Sequence, residues 1–146
     1  MPTSSSIRDV CLEVGTHDIS DVMSHDHMSS VLDDYHHLIR VTEQAFPRAY
    51  ITVCSLLPRS TNHNQIKNTM RFCQGLRKLC SQYSYVQFVD LIPHLTHQGH
   101  QDFSYYSKGG FFLNNSSSLW IRNYLVSEIR RWRASSTTHE SHKYLN

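Results

Sequence analysis

The sequence lacks the features that would place it in a membrane or on a polyanion. No apolar run approaches the roughly 18 residues needed to cross a bilayer. Positive and negative charges nearly cancel, with a formal net charge of +2 at pH 7, so no strong attraction to nucleic acid or to a membrane surface follows. The first residues carry neither a basic nor an apolar segment. We therefore expect no signal peptide and an intracellular protein, cytoplasmic or nuclear.

Cysteine is scarce and forms no C-x-x-C pair. The four cysteines lie within apolar segments, at Cys11, Cys54, Cys73 and Cys80. This placement predicts buried, reduced thiols, as suits an intracellular protein, and nothing in the sequence calls for a cofactor. Histidine, by contrast, is plentiful: there are 11, so the chain becomes markedly more basic on mild acidification.

Three apolar runs predict β-strands at Asp9–Val14, Tyr50–Leu57 and Tyr85–Ile92, each followed by glycine or proline. Helical patterns separate them, and the alternation of strand and helix predicts an α/β fold with a parallel sheet and right-handed crossovers. We expect residues 93–118 to form a long loop, because no periodic pattern is visible there.

Three segments show apolar residues at helical spacing. The first runs from Met28 to Phe46, with Asp26 or Ser24 as its cap and Pro47 as its stop. The second places one set of residues on one side: Ile66, Met70, Cys73, Leu76, Cys80 and Tyr83. The last spans Leu119–Trp132, and its inward residues are predicted to be Ile121, Leu125, Ile129 and Trp132.

Three sequence blocks follow these elements in order. Val14–Asp18 reads V-G-T-H-D, Ser55–Arg59 reads S-L-L-P-R, and Tyr106–Asn114 reads Y-S-K-G-G-F-F-L-N. They resemble the V-G-T-N-D, S-x-L-P-R and Y-x-x-D-G-V-H-L-N blocks of the SGNH (GDSL-type) hydrolases. The resemblance implies a flavodoxin-like parallel sheet with helices on both faces. It also implies a Ser–His–Asp mechanism for the hydrolysis of esters or acetyl groups.

Carried over position by position, the family site is degraded here. Gly15 and Asp18 remain in the first block, but His17 replaces the oxyanion Asn. Gly109 stands at the Asp position and Phe112 at the His position. A phenyl ring accepts no proton and glycine orients nothing, so we expect no esterase activity.

The family's G-D-S nucleophile block belongs to an earlier strand, and only eight residues precede the first predicted strand of this sequence. We therefore expect a disordered end at 1–8, a partial SGNH-like domain at 9–133 and a polar tail at 134–146. The sheet is then incomplete, with about three strands. An esterase completed by missing N-terminal sequence or by a partner is the alternative.

Other chemistries remain open beside this one. His94, His97 and His100 are spaced for chelation, but a solvated loop without metal is the favoured interpretation. His17 and Asp18 form either a dyad or a loop cap, and the cap is favoured. The arginines at 130, 131 and 133 flank Trp132. They complement the helix dipole, and nucleic acid binding is the less favoured role.

The incomplete sheet itself predicts an interaction. With its family neighbour missing, the apolar strand Asp9–Val14 becomes an edge, and exposed apolar edges pair with other chains. We therefore predict a homo-oligomer or a strand-complementing partner.

Overall fold

A computed structural model describes residues 6–15, 18–20, 22–58, 63–110 and 112–135. Its centre is a parallel sheet of three strands in the order β1-β2-β3. These strands are β1 (Asp9–Leu12), β2 (Tyr50–Cys54) and β3 (Val86–Val89). Helices flank this sheet, and a small antiparallel hairpin follows β3. The α/β fold predicted from the sequence is confirmed.

The remaining elements follow in chain order. The long helices are α1 (His25–Ala45), α2 (His63–Cys80) and α4 (Asn115–Ala134). Between β3 and α4 lie the short helix α3 (Ile92–Leu95), the hairpin strands β4 (Thr96–His97) and β5 (His100–Gln101), and a 3₁₀ helix (Phe103–Tyr105). The expected disordered end and polar tail lie mostly outside the described residues.

The middle strand is the most buried element of the sheet. All five residues of β2 are buried, whereas exposed and half-buried residues alternate along β1. Such a continuous apolar run is typical of a strand with both faces covered. The predicted strands were too long at their carboxyl ends, since β1 stops at Leu12 and Val14 is 45% exposed.

Two apolar clusters lie on the two faces of the sheet. The larger one joins the sheet to α1 and α2, through Met28, Val31, Tyr35, Ile39, Ile51, Val53, Phe72 and Leu76 among others. The smaller one joins the other face to α3 and α4, through Cys54, Leu57, Val89, Leu91, Leu95 and Ile121. The split follows from the strand itself, because successive side chains point to opposite faces.

Helix α1 begins and ends where the sequence indicates. The Ser24 side chain accepts a hydrogen bond from the His27 backbone N–H at 3.0 Å, so Ser24 rather than Asp26 is the cap. At the other end the Phe46 N–H bonds to the Thr42 carbonyl, just before Pro47. Of the predicted apolar stripe, the buried members are Met28, Val31, Tyr35, Ile39 and Thr42.

Helix α2 packs through a slightly different face than predicted. Met70 was assigned to the buried side but is 43% exposed, while Phe72 is fully buried. Gly75 explains how closely α1 and α2 approach each other. A Cβ atom there would lie only 2.7 Å from Leu32 Cδ1, so the glycine makes room for a neighbouring side chain.

The long loop predicted for 93–118 is wrong, because most of it has local structure. Short elements built on side-chain hydrogen bonds replace it: Asp102 caps the 3₁₀ helix, and Asn114 caps α4. Helix α4 therefore begins at Asn115, before the predicted start at Leu119. Elements of two to four residues leave no periodic signature, which is why the apolar pattern missed them.

One cysteine departs from the prediction of buried thiols. Cys54, Cys73 and Cys80 are buried, but Cys11 is exposed. Its neighbour Leu12 packs against the cluster shared with α1 and α2, so Cys11 points to the opposite face of β1.

No helix within the described residues is both long and apolar enough to cross a membrane.

Candidate functional site at the carboxyl ends of the strands

The three parallel strands end at one edge of the sheet, where ligands bind in open α/β folds. The segments after Leu12, Cys54 and Val89 leave the sheet there. The three sequence blocks singled out above belong to this edge or contact it.

The block after β1 turns sharply at Gly15. Its φ of +104° is one that residues with a side chain rarely adopt. The Asp18 N–H closes the turn by donating to the Gly15 carbonyl at 3.0 Å. His17, predicted to replace the oxyanion Asn or to pair with Asp18, lies outside the described residues.

Helices α1 and α2 hold the rest of this first loop. His27 Nε2 lies 3.4 Å from the Asp18 carbonyl oxygen. The Asn68 side chain donates to the Ser20 carbonyl at 2.9 Å, and Ile19 is only 3% exposed. The loop is thus built into the body of the protein, with the exposed Asp18 on its surface.

The block after β2 ties the strand ends together. Ser55 is fully buried, and its hydroxyl oxygen accepts a hydrogen bond from the Leu91 N–H at 2.7 Å. This bond joins the end of β2 to the segment after β3. Three residues on, the carbonyl of Pro58 accepts a hydrogen bond from the Tyr106 hydroxyl. Tyr106 therefore anchors the last block to the end of β2.

The last block is a tight loop closed by an isolated bridge between Tyr106 and Leu113. The Phe112 carbonyl accepts two hydrogen bonds from Ser107, one from its N–H at 2.7 Å and one from its hydroxyl at 3.0 Å. The buried Gln101 side chain donates to the Gly110 carbonyl at 2.7 Å. The backbone of this block is thus closely determined by local bonds.

Gly109 and Phe112 stand at the two positions where the resemblance would place the Asp–His pair. Gly109 has a φ of +100°, so an aspartate substituted at this position would have a strained backbone. Phe112 is 69% exposed, and its ring offers no lone pair to accept a proton. Ser107, the serine nearest to Gly109 in sequence, already donates its hydroxyl hydrogen to a backbone carbonyl.

The histidine-rich segment lies beside a cavity of about 650 Å³. Its lining includes His94, His97, Asp102, Ser104, Ser117 and Trp120. His94 packs on aromatic rings, with its centroid 4.9 Å from that of Tyr124 and 5.5 Å from that of Trp120. Hydrogen bonds from the Ser104 hydroxyl and N–H lower the pKa of the Asp102 carboxyl below its usual range.

The proposed metal ligands are not assembled into a site. His97 and His100 face each other across the β4–β5 hairpin, while His94 belongs to the aromatic contact. Among the residues that the structure describes, no three His, Cys, Asp or Glu side chains are arranged to hold a metal ion.

The basic end of α4 is used for packing inside the protein. Arg133 forms an ion pair with Asp9 at 3.0 Å and lies over the Tyr50 ring, 4.8 Å from its centroid. Trp132 contacts the same ring edge-on at 5.7 Å, and Arg131 pairs with Glu128. The contacts of Arg133 and Trp132 attach α4 to the sheet, whereas the Arg131–Glu128 pair lies within the helix. Trp132 is half-buried as a result, which disfavours it as a stacking platform for bases.

Two contacts at this edge were not foreseen from the sequence. Nothing in the pattern linked Tyr106 to Pro58, because a hydrogen bond over 48 residues has no local signature. The Asp102 cap could have been predicted from the sequence, because an aspartate two residues before a serine is a common turn signal.

Comparisons with known proteins bear on the fold. No protein-family model matches the chain, and no curated protein matches it significantly. Among solved structures, a Streptococcus pneumonia protein described as a candidate platelet activating factor matches with a TM-score of 0.67 and 24% sequence identity. The match covers 82% of this chain and 60% of that one. This chain thus spans about three fifths of the other's length, and what the likeness establishes is a shared fold.

Proposed function

We propose that this chain is a degenerate SGNH hydrolase-like domain without esterase activity of its own. The observation that carries the proposal is which residues occupy the last block, Tyr106–Asn114. Its loop is anchored at the carboxyl edge of the sheet by Tyr106, yet Gly109 and Phe112 stand where the family has its Asp–His pair. The shared fold and the order of the three blocks support the family assignment.

Ester cleavage by a serine depends on proton transfer. A serine hydroxyl attacks a carbonyl only when a base within hydrogen-bond reach takes its proton. Phe112 cannot do so, and a neighbouring glycine cannot orient a substitute. Residual rate from oxyanion donors alone falls several orders of magnitude short of a complete triad, so a substrate bound at this edge would be held and released rather than cleaved.

Hydrolysis of p-nitrophenyl acetate tests the proposal. Imidazole groups attack this ester slowly on their own, and the chain has 11 histidines, so the diagnostic is inhibition rather than rate alone. We expect a slow rate without a burst, unchanged by a serine-directed fluorophosphonate, and no covalent adduct by intact mass. Ser107→Ala should leave the rate unchanged. A stoichiometric phosphonate adduct that abolishes hydrolysis would refute the proposal.

The edge of the sheet at β1 favours a second role, which is pairing with another strand. Within the described residues β1 pairs only with β2. The Arg8 carbonyl accepts from the Tyr50 N–H at 2.8 Å, so by alternation the backbone groups of Asp9 and Cys11 point away from β2. We propose that this edge pairs with another strand, in the first instance that of a second copy. Light scattering on an edge-blocked variant tests it.

A further inference from the structure

Two cysteines from neighbouring strands meet on one face of the sheet. Cys11 on β1 is in register with Thr52 on β2, so Cys54 stands two residues further along the same face. Their sulfur atoms are 3.3 Å apart. Both thiols are free, and 43 residues separate them in the sequence.

The two thiols differ in what can reach them. Cys11 is exposed, while Cys54 is fully buried in the cluster beneath α4. The other two cysteines, Cys73 and Cys80, are 4% and 1% exposed, and burial raises the pKa of each to about 12. An oxidant in solution therefore meets Cys11 first.

The contact between the sulfurs also shifts the pKa values of the two thiols in opposite directions. The hydrogen bond between the two sulfurs lowers the pKa of Cys11, and the same bond, followed by burial, raises the pKa of Cys54. Because the thiolate is the reactive form of cysteine, the pair combines an exposed nucleophile with a protonated thiol in contact with it.

We propose that Cys11 is a site of oxidation by hydroperoxides and that Cys54 is its resolving thiol, so that a reversible disulfide links β1 to β2. The Cys11 thiolate attacks a peroxide oxygen, the O–O bond breaks, and the released hydroxide or alkoxide takes up a proton. Cys11 is then a sulfenic acid. The Cys54 sulfur displaces its hydroxyl group, and the Cys54 proton leaves with that group as water.

Disulfide formation requires a movement of β1, because Cys11 and Cys54 lie diagonally across the two strands. Cα atoms at such positions are roughly 7–8 Å apart, whereas a disulfide needs about 4.4–6.8 Å. The sulfurs must approach from 3.3 Å to a bond length of about 2.05 Å, a change of about 1.3 Å. β1 has only four residues and, within the described sheet, a single neighbouring strand. It is therefore freer to shift than β2, which has five residues and is paired on both sides.

The wild-type chain, treated with hydrogen peroxide, then unfolded and alkylated with N-ethylmaleimide, tests the proposal, because Cys54 is fully buried in the folded chain. Mass spectrometry of a non-reduced digest should show the Cys11 peptide joined to the Cys54 peptide. Before alkylation, the intact mass should fall by two hydrogens relative to the reduced chain, and dithiothreitol should reverse the change. Cys73 and Cys80 should stay unlinked. Recovery of Cys11 and Cys54 both alkylated, or a linkage between the Cys11 residues of two chains, would overturn the proposal.

Variants separate the two roles. In Cys54→Ser the sulfenic acid at Cys11 has no resolving partner, so dimedone should label Cys11 several-fold more than in the wild type. Cys80→Ser is the matched control, since it removes another buried thiol and should keep the Cys11–Cys54 link. A circular dichroism melt identifies any variant that fails to fold, and the wild-type digest decides the question even then. Equal dimedone labelling of Cys54→Ser and the wild type would refute the resolving role.

Discussion

Tyr106 joins the last sequence block to the end of β2 through a single hydroxyl group. The residue is 6% exposed, and its hydroxyl donates to the Pro58 carbonyl. Removing one partner of a buried hydrogen bond leaves the other unsatisfied, which costs about 1–3 kcal/mol. Tyr106→Phe should therefore lower the free energy of unfolding by an amount in this range.

Urea denaturation followed by tryptophan fluorescence measures that loss, and the chain supplies its own control. Tyr105 is 38% exposed, so Tyr105→Phe should change the free energy of unfolding by less than about 0.5 kcal/mol. Equal effects of the two substitutions would show that the Tyr106 hydroxyl bond contributes nothing specific.

Residue identity and residue environment differ in how far the sequence reveals them. The replacements at Gly109 and Phe112 are visible from the sequence blocks alone. The positive φ of Gly109 is not, because it depends on how Ser107 and the Phe112 carbonyl close the loop. The exposure of Cys11 was likewise missed. An apolar segment indicates a strand, but not which of its faces a helix covers.

At the scale of elements, capping side chains decide where helices begin. Ser24 and Pro47 bound α1 as the sequence indicates, because both act through local chemistry. The start of α4 was missed, since its first turn is polar and shows no apolar stripe. The cap there is Asn114, whose side chain accepts from the Ser117 N–H at 2.9 Å and donates to the Ser104 carbonyl at 2.9 Å.

Asn114→Ala removes both of these bonds and should destabilise the protein by about 1–2 kcal/mol. The cost arises because an amide of the first helical turn loses its partner, and the Ser104 carbonyl loses the hydrogen bond from the Asn114 side chain. Asn115→Ala, one residue further on at an exposed position, is the matched control and should be nearly neutral. Chemical denaturation of both variants measures the difference, and a larger loss for Asn115→Ala would contradict the assignment of the cap.

At the scale of the whole molecule, the order of strands and helices was predictable while the contacts between them were not. Alternating patterns indicated a parallel sheet with covered faces, because burial on both sides imposes continuous apolar runs such as β2. The ion pair of Arg133 with Asp9 spans 124 residues. It closes α4 onto β1 and has no counterpart in local pattern. From the sequence alone, the arginine cluster was therefore interpreted as complementing the helix dipole or as binding nucleic acid.

The edge formed by β1 gives the last prediction. Pairing of two copies along this strand would be symmetric, each β1 offering the outward backbone groups of Asp9 and Cys11 to the other. Cys11→Pro removes one outward N–H without taking a bond from β2, because proline lacks that donor. Cys11→Ser keeps the N–H and is the matched control. Light scattering across a concentration series, with reductant present, should show dimers for the wild type and Cys11→Ser but monomers for Cys11→Pro. A wild type that stays monomeric throughout would show that β1 does not pair with its own copy.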